Sequence, residues 1–254
     1  QPARCGACHD ASAFEASVHG RALAAGKVPA PTCASCHGSH DIRPSADPES
    51  RTYRLNVMRT CAACHGAAGA ATGAPGGDVV RQFEDSIHGR ALIRSGLNVA
   101  PSCISCHGAH DIAPKHEAAS KVHRGNLAAT CGACHEGIKT QFAAGMHGTL
   151  VQNGDPRAPV CADCHSAHGI QRADVEQWQV DVILECRTCH TDKLRTYRDT
   201  FHGKVTELGY ARVATCASCH GAHQVLPASN PASPVAPERR LQTCQKCHPG
   251  VNAN

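Results

Sequence analysis

Eighteen cysteines and nineteen histidines carry the chemistry open to this 254-residue chain. Every cysteine falls in one of nine Cys-x-x-Cys-His pentads: Cys5, Cys8 and His9; Cys33, Cys36 and His37; Cys61, Cys64 and His65; Cys103, Cys106 and His107; Cys131, Cys134 and His135; Cys161, Cys164 and His165; Cys186, Cys189 and His190; Cys216, Cys219 and His220; Cys244, Cys247 and His248. Two thiols followed at once by a histidine are the attachment signature of a c-type haem: the thiols add to the two vinyl groups and the histidine reaches the iron from below. Disulfides and zinc sites are the competing uses of so many cysteines. Disulfides leave the histidine after every second cysteine without a role, and zinc ribbons pair one Cys-x-x-Cys with another without needing it. Nine covalently attached haem c groups are therefore the expected cofactors.

Ten histidines remain, and eight of them recur at fixed offsets from the pentads. His40, His110, His168 and His223 each stand three positions after a pentad histidine. That is too little chain to pass around a flat porphyrin, so such a histidine, if it binds iron, binds that of a neighbouring haem. His19, His88, His147 and His202 each precede a glycine and stand five positions after an aromatic residue, Phe14, Phe83, Phe142 or Tyr197. An ordinary surface histidine would not recur four times in this way, and the eight are expected as distal iron ligands.

These ligands define a repeat that the local structure must position. Each copy holds a pentad, a His-Gly segment, a second pentad with its trailing histidine and a connector. Copies span 1–60, 61–130, 131–185 and 186–243, and a ninth haem site closes the chain at 244–254, the whole expected as one continuous haem-cored unit. A short helix is predicted from near each aromatic residue to Gly26, Gly96, Gly154 or Gly209, which would end it in a left-handed cap. Pro31, Pro101 and Pro159, with Ala214 in the last copy, keep that helix from resuming. Connectors 41–60 and 111–130 align without a gap, Asp41-Ile42 on Asp111-Ile112 and Asn56 on Asn126. The fourth connector, with Pro227, Pro231, Pro234 and Pro237, reads as an extended crossing. The Gly- and Ala-rich insertion Ala67 to Gly77 reads as a mobile surface loop.

Only 3% of the chain is aromatic, too little for an ordinary core. One haem per about 28 residues would make the macrocycles the apolar interior. The expected fold is mostly irregular, with short α-helices, little or no β-structure, and the chain wrapped around a line of stacked haems. The formal charge of +4 misleads, because two propionates and one ferric core for each haem turn it to about −5 oxidised and about −14 reduced. Surplus arginine and lysine are expected to neutralise propionates, and no nucleic-acid partner is indicated. No stretch approaches the 18 apolar residues of a membrane span. Haem c is attached outside the cytoplasmic membrane, so a periplasmic or extracellular location is expected, with Gln1 the start of a processed chain from which the signal peptide is gone.

With His-Gly ahead of CxxCHGxH, then Ser120-Lys-Val-His123 before Asn126 and Thr130-Cys131, the chain resembles the multihaem c-type cytochromes with doubled CxxCH motifs. That group includes small periplasmic carriers, porin-embedded conduits and extracellular filament cytochromes. The match runs from Cys5 to His248. On this resemblance His123 is the ninth distal ligand; Tyr53 and Ala236 take its place in copies one and four. His116 is expected to be exposed, and Met58 and Met146 are weaker ligand candidates. Trp178, the one tryptophan, suits packing or stacking on a haem or a partner.

Nine irons with nine distal histidines imply a non-enzymatic conduit that passes single electrons between redox proteins. The partners are then other copies of the chain in a filament, or a membrane redox complex. The competing class is a multihaem reductase of nitrite, hydroxylamine or a sulfur oxyanion, with one five-coordinate haem.

Overall fold

The computed structural model describes residues 5–27, 29–67, 78–210 and 212–252. The insertion, after Ala67, lies outside them. The described residues form short α-helices joined by turns, with no strand among them. In chain order the helices are α1 (Ser12–Ala16), α2 (Val18–Ala24), α3 (Cys33–His37), α4 (Val57–His65), α5 (Val79–Asp85), α6 (Ile87–Gly89), α7 (Cys103–His107), α8 (Leu127–Gly132), α9 (Glu136–Ala143), α10 (Met146–Gln152), α11 (Cys161–His165), α12 (Glu176–Arg187), α13 (Thr191–Arg198), α14 (Phe201–Glu207), α15 (Cys216–His220) and α16 (Arg240–Gln245). A π-helical turn, Arg90–Arg94, continues α6, and a 3-10 turn, Arg124–Asn126, leads into α8.

The chain divides into two compact units, Gln1–Thr130 with Ala167–Ile170, and Cys131–Ser166 with Gln171–Asn254. The main division falls at the boundary read between the second and third repeats. Only His168 and its neighbours, from the third repeat, join the first unit.

The His-Gly segment is two helices, not the single helix expected. In repeat one, α1 stops at Ala16 and α2 starts at Val18, with extended Ser17 (φ −71°, ψ 167°) between them. The Ser17 hydroxyl donates to the Phe14 carbonyl (2.6 Å) and accepts the Gly20 N–H (3.1 Å). One side chain thus ends the first helix and caps the second. Ser86 and Thr200 make the same two bonds in repeats two and four. Gly145 takes this position in repeat three, where a Cβ would press on the backbone of His223 and Val225. The tight corner also explains the glycine after each ligand histidine. A Cβ on Gly20, Gly89, Gly148 or Gly203 would collide with the carbonyl oxygen of Phe14, Phe83, Phe142 or Tyr197. The second helices end as expected, with Gly26, Gly96, Gly154 and Gly209 all at positive φ.

The fourth connector also departs from expectation. It is the same ladder of turns as the first two. Ser50, Ser120 and Ser233 are buried and donate their hydroxyls to Arg43, Ala113 and Leu226 carbonyls. Thr60, Thr130 and Thr243 donate to Arg51, Lys121 and Pro234 carbonyls. Proline fixes φ without needing an N–H, so the four prolines fit a turn ladder as well as an extended run.

Candidate haem-binding site

Every pentad lies on a helical turn or at the end of a helix. The second pentad of each repeat is a helix of its own: α3, α7, α11 and α15. Its third residue caps its start. Ser35 accepts the Thr32 N–H (3.0 Å), Ser105 that of Ser102 (3.1 Å), Asp163 that of Val160 (2.8 Å) and Ser218 that of Thr215 (3.0 Å). The first pentads of repeats two to four and the ninth pentad begin within α4, α8, α12 and α16, which run in from the connectors. Helical spacing puts the first cysteine, the second at i+3 and the histidine at i+4 on one face, an arrangement that fits two thiols and an imidazole to one planar group.

Among the described residues, six histidine pairs within the two units bring distant parts of the chain together. In the first unit His19 faces His65, His37 faces His110 and His107 faces His168, with ring centroids 6.1, 5.9 and 6.0 Å apart. In the second, His147 faces His190, His165 faces His223 and His202 faces His248, at 6.2, 6.1 and 6.0 Å. Each pair joins one pentad histidine to one of the eight repeated histidines. The separation fits a metal between the rings: two metal–nitrogen bonds of about 2.0 Å and about 1.1 Å from each nitrogen to its ring centre add to roughly 6 Å.

The pairs obey two rules. A His-Gly histidine reaches forward to the first pentad that follows its own repeat, as His19 to His65, His147 to His190 and His202 to His248. A trailing histidine reaches back to the second pentad of the preceding repeat, as His110 to His37, His168 to His107 and His223 to His165. The partner ring is therefore that of a pentad other than the nearest in sequence.

One backbone bond accompanies each backward step. The residue before the His-Gly histidine donates its N–H to the carbonyl two residues after the trailing histidine of the following repeat: Val18 to Ile112, Ile87 to Ile170 and Met146 to Val225, each at 2.8 Å. Arg21 reinforces the first by pairing with Glu117 at 2.8 Å.

Burial and the facing ring hold His19, His107, His147 and His165 below the ordinary imidazole range. Burial lowers His37 too, assisted by His110 and His9, and burial alone lowers His168 and His223. Neutral imidazole is the form that binds a metal. Successive attachment sites are also close. Thiol contacts join Cys61 to Cys103 and Cys186 to Cys216, raising the first of each pair and lowering the second, Cys216 to about 7. A contact with Cys131 likewise takes Cys161 to about 7.

The other sequence candidates are placed as follows. His88 lies in the first unit and His135 in the second. His9, His40 and His220 are exposed. His116 is exposed, as expected, and Met58 is buried, as is Val57. Met146 is 40% exposed and contributes its backbone N–H. His123 caps the 3-10 turn, its Nδ1 accepting the Gly125 N–H at 3.2 Å. A ring that binds iron through Nε2 keeps its proton on Nδ1, so this bond and ligation through Nε2 exclude one another. Trp178 stacks on His165, centroids 5.1 Å apart and planes 9° from parallel. Arg43, Arg81, Arg157 and Arg198 are tied to carboxylates of the chain itself, which takes them from the pool expected to neutralise propionates.

Sequence reading passed over the capping hydroxyls and the paired backbone positions before and after the ligands. The signal for both is registration of the repeats: Ser17, Ser86 and Thr200 align, as do Ile42, Ile112, Ile170 and Val225. Comparisons with protein-family models, with curated proteins and with solved structures find no match to this chain.

Proposed function

We propose that the chain is a multihaem c-type cytochrome that conducts single electrons through nine haems. The observation that carries this reading is the set of six histidine pairs, each a pentad histidine facing a repeated histidine across a gap of one metal ion. Bound haem c supplies an iron that alternates between ferric and ferrous states, one electron at a time. The chain's residues do the rest. Each pentad's two thiols would anchor a macrocycle and its histidine would bind the iron; in the six pairs the facing histidine would be a second nitrogen ligand and would keep small ligands off the metal. Contacts between Cys61 and Cys103, and between Cys186 and Cys216, support close spacing of consecutive haems within each unit. Export to the periplasm or cell exterior, with redox proteins as partners and no enzymatic activity, belongs to the same reading. Among the described residues no helix is long and apolar enough to cross a membrane.

Electron paramagnetic resonance of the oxidised protein tests it. Low-spin ferric signals accounting for at least six irons per chain are expected. A predominantly high-spin spectrum would overturn the conduit.

A second reading has its own observation. His9 has no ring partner in either set of pairs, and a surface cleft beside it is lined by Gly6, Ala7, Asp10, Ala11, Ser12 and Glu15. A haem held by Cys5, Cys8 and His9 with an open axial position would suit a reductase of nitrite, hydroxylamine or a sulfur oxyanion. Turnover of one of these with a reduced dye, abolished together with a high-spin signal by cyanide, would favour it over the conduit.

A further inference from the structure

One pentad histidine differs from its counterparts in what lies against it. His37, His107 and His165 belong to the second pentads of their repeats and face His110, His168 and His223. Among the described residues, the facing histidine is the whole of the ring contact made by His37 and His107. His165 has a second. The Trp178 indole lies 5.1 Å from it between centroids, with the planes 9° from parallel. Rings so close and so nearly parallel cannot lie side by side in one plane, so the indole overlaps the imidazole as an offset stack.

The third repeat is built to place this indole. Where the connectors of the other repeats are turn ladders around Ser50, Ser120 and Ser233, this one runs as α12. Trp178 is the third residue of that helix and is half-buried. Two contacts hold the start of α12: Glu176 pairs with Arg212, and the Gln177 side-chain amide donates to Asp181 (2.8 Å). Further along, Ile183 is buried, and Cys186 is the first thiol of the next pentad. His165, Trp178 and Arg212 all belong to the second unit.

An imidazole bound to a metal through one nitrogen turns about that bond unless something else holds its plane. The usual hold is a hydrogen bond from the other ring nitrogen to a carboxylate or a carbonyl. Among the described residues, the His165 ring makes no such bond. The stack takes its place, and the His223 ring, 17° from the His165 plane, shares nearly the same orientation. Ring orientation decides which metal orbitals the ligand meets, so the group that holds the ring also tunes the metal.

Resting on the haem reading above, we propose that Trp178 is a positioning residue whose indole fixes the plane of the His165 imidazole and so tunes the one haem held at Cys161 and Cys164. It acts through His165 and does not bind the iron. No bond is made or broken in this role, and the indole is neither oxidised nor reduced.

The experiment uses the haem-loaded protein and three variants. Trp178→Phe keeps a flat ring able to stack, Trp178→Leu keeps apolar bulk without a ring, and His223→Ala removes the facing histidine. For each, intact mass counts the attached haems and electron paramagnetic resonance of the oxidised protein resolves the ferric components. The low-spin component that disappears in His223→Ala belongs to the iron at His165. Trp178→Leu should keep nine haems and shift the principal g value of that component alone, and Trp178→Phe should leave it at the wild-type position. A redox titration followed at the same signal should show its midpoint moved in Trp178→Leu and restored in Trp178→Phe. A Trp178→Leu protein in which that component is unshifted, in which all components shift together, or from which haems are lost would overturn the inference and leave the haem reading intact. A Trp178→Phe protein that shifts as far as Trp178→Leu would do the same. Fewer than nine attached haems in the wild type would overturn the haem reading, and this inference with it.

Discussion

At the scale of single residues the ligand pairs make specific demands. His110 faces His37, whose pentad thiols are Cys33 and Cys36, so a His110→Ala protein should keep all its covalent haems while one iron turns high-spin. Peptide mass mapping should place every haem; loss of the one at Cys33 and Cys36 would mean that His110 is needed for attachment rather than for ligation. Acid should act on the same pairs. Because burial lowers His19, His107, His147 and His165 in the folded chain, the unfolded chain takes up protons first, near the ordinary value of about 6.5. The stability tied to the neutral rings is therefore present above that value and is lost as the pH falls through it towards the lowered folded values. Guanidinium unfolding followed by the low-spin absorption band should show a falling midpoint below about pH 6.5; a midpoint that rises there would contradict the neutral-pair account.

Helices and corners do the positioning, and their rules differ in how far sequence exposes them. Gly148 follows His147 at a corner where a Cβ would collide with the Phe142 carbonyl oxygen. A Gly148→Ala change should cost about 1–3 kcal/mol of stability and disturb the His147–His190 pair, read as a drop in unfolding midpoint with a new high-spin signal. Ser166 is the opposite case. It sits at φ 61°, where Gly38, Gly108 and Gly221 stand in the other repeats, so Ser166→Gly should stabilise by about 1 kcal/mol, seen as a raised Tm. The pentads, the His-Gly offsets, the left-handed glycines and the absence of strands were legible because each repeats at a fixed spacing. Two features were not. The split of the His-Gly helix depends on a hydroxyl two residues before each of His19, His88 and His202 that reads as an ordinary helix residue until its two bonds are seen. The pairing of His110 with His37 rather than with a pentad nearer in sequence depends on how repeats dock, which no local spacing records. His123, a ligand on the resemblance alone, caps its own turn here, its Nδ1 accepting the Gly125 N–H.

For the molecule as a whole, the core is the issue. Among the described residues the buried apolar side chains are few, and Ala100, Ala158 and Ala236 are three of them. At about 25 cal/mol per Å² of apolar surface such a set does not balance the ordering of a chain this long, and on the proposed reading attached macrocycles would supply the difference. The reading of the chain as a conductor rests on the same groups, since the thiols that would hold them are the whole of its cysteine content. The most direct test is therefore the intact mass of the denatured protein purified from an export pathway that attaches haem c. A mass equal to the chain plus nine haems, with no thiol left to react with an alkylating reagent, is predicted; a mass lacking haem, with its cysteines alkylatable or joined as disulfides, would contradict the account.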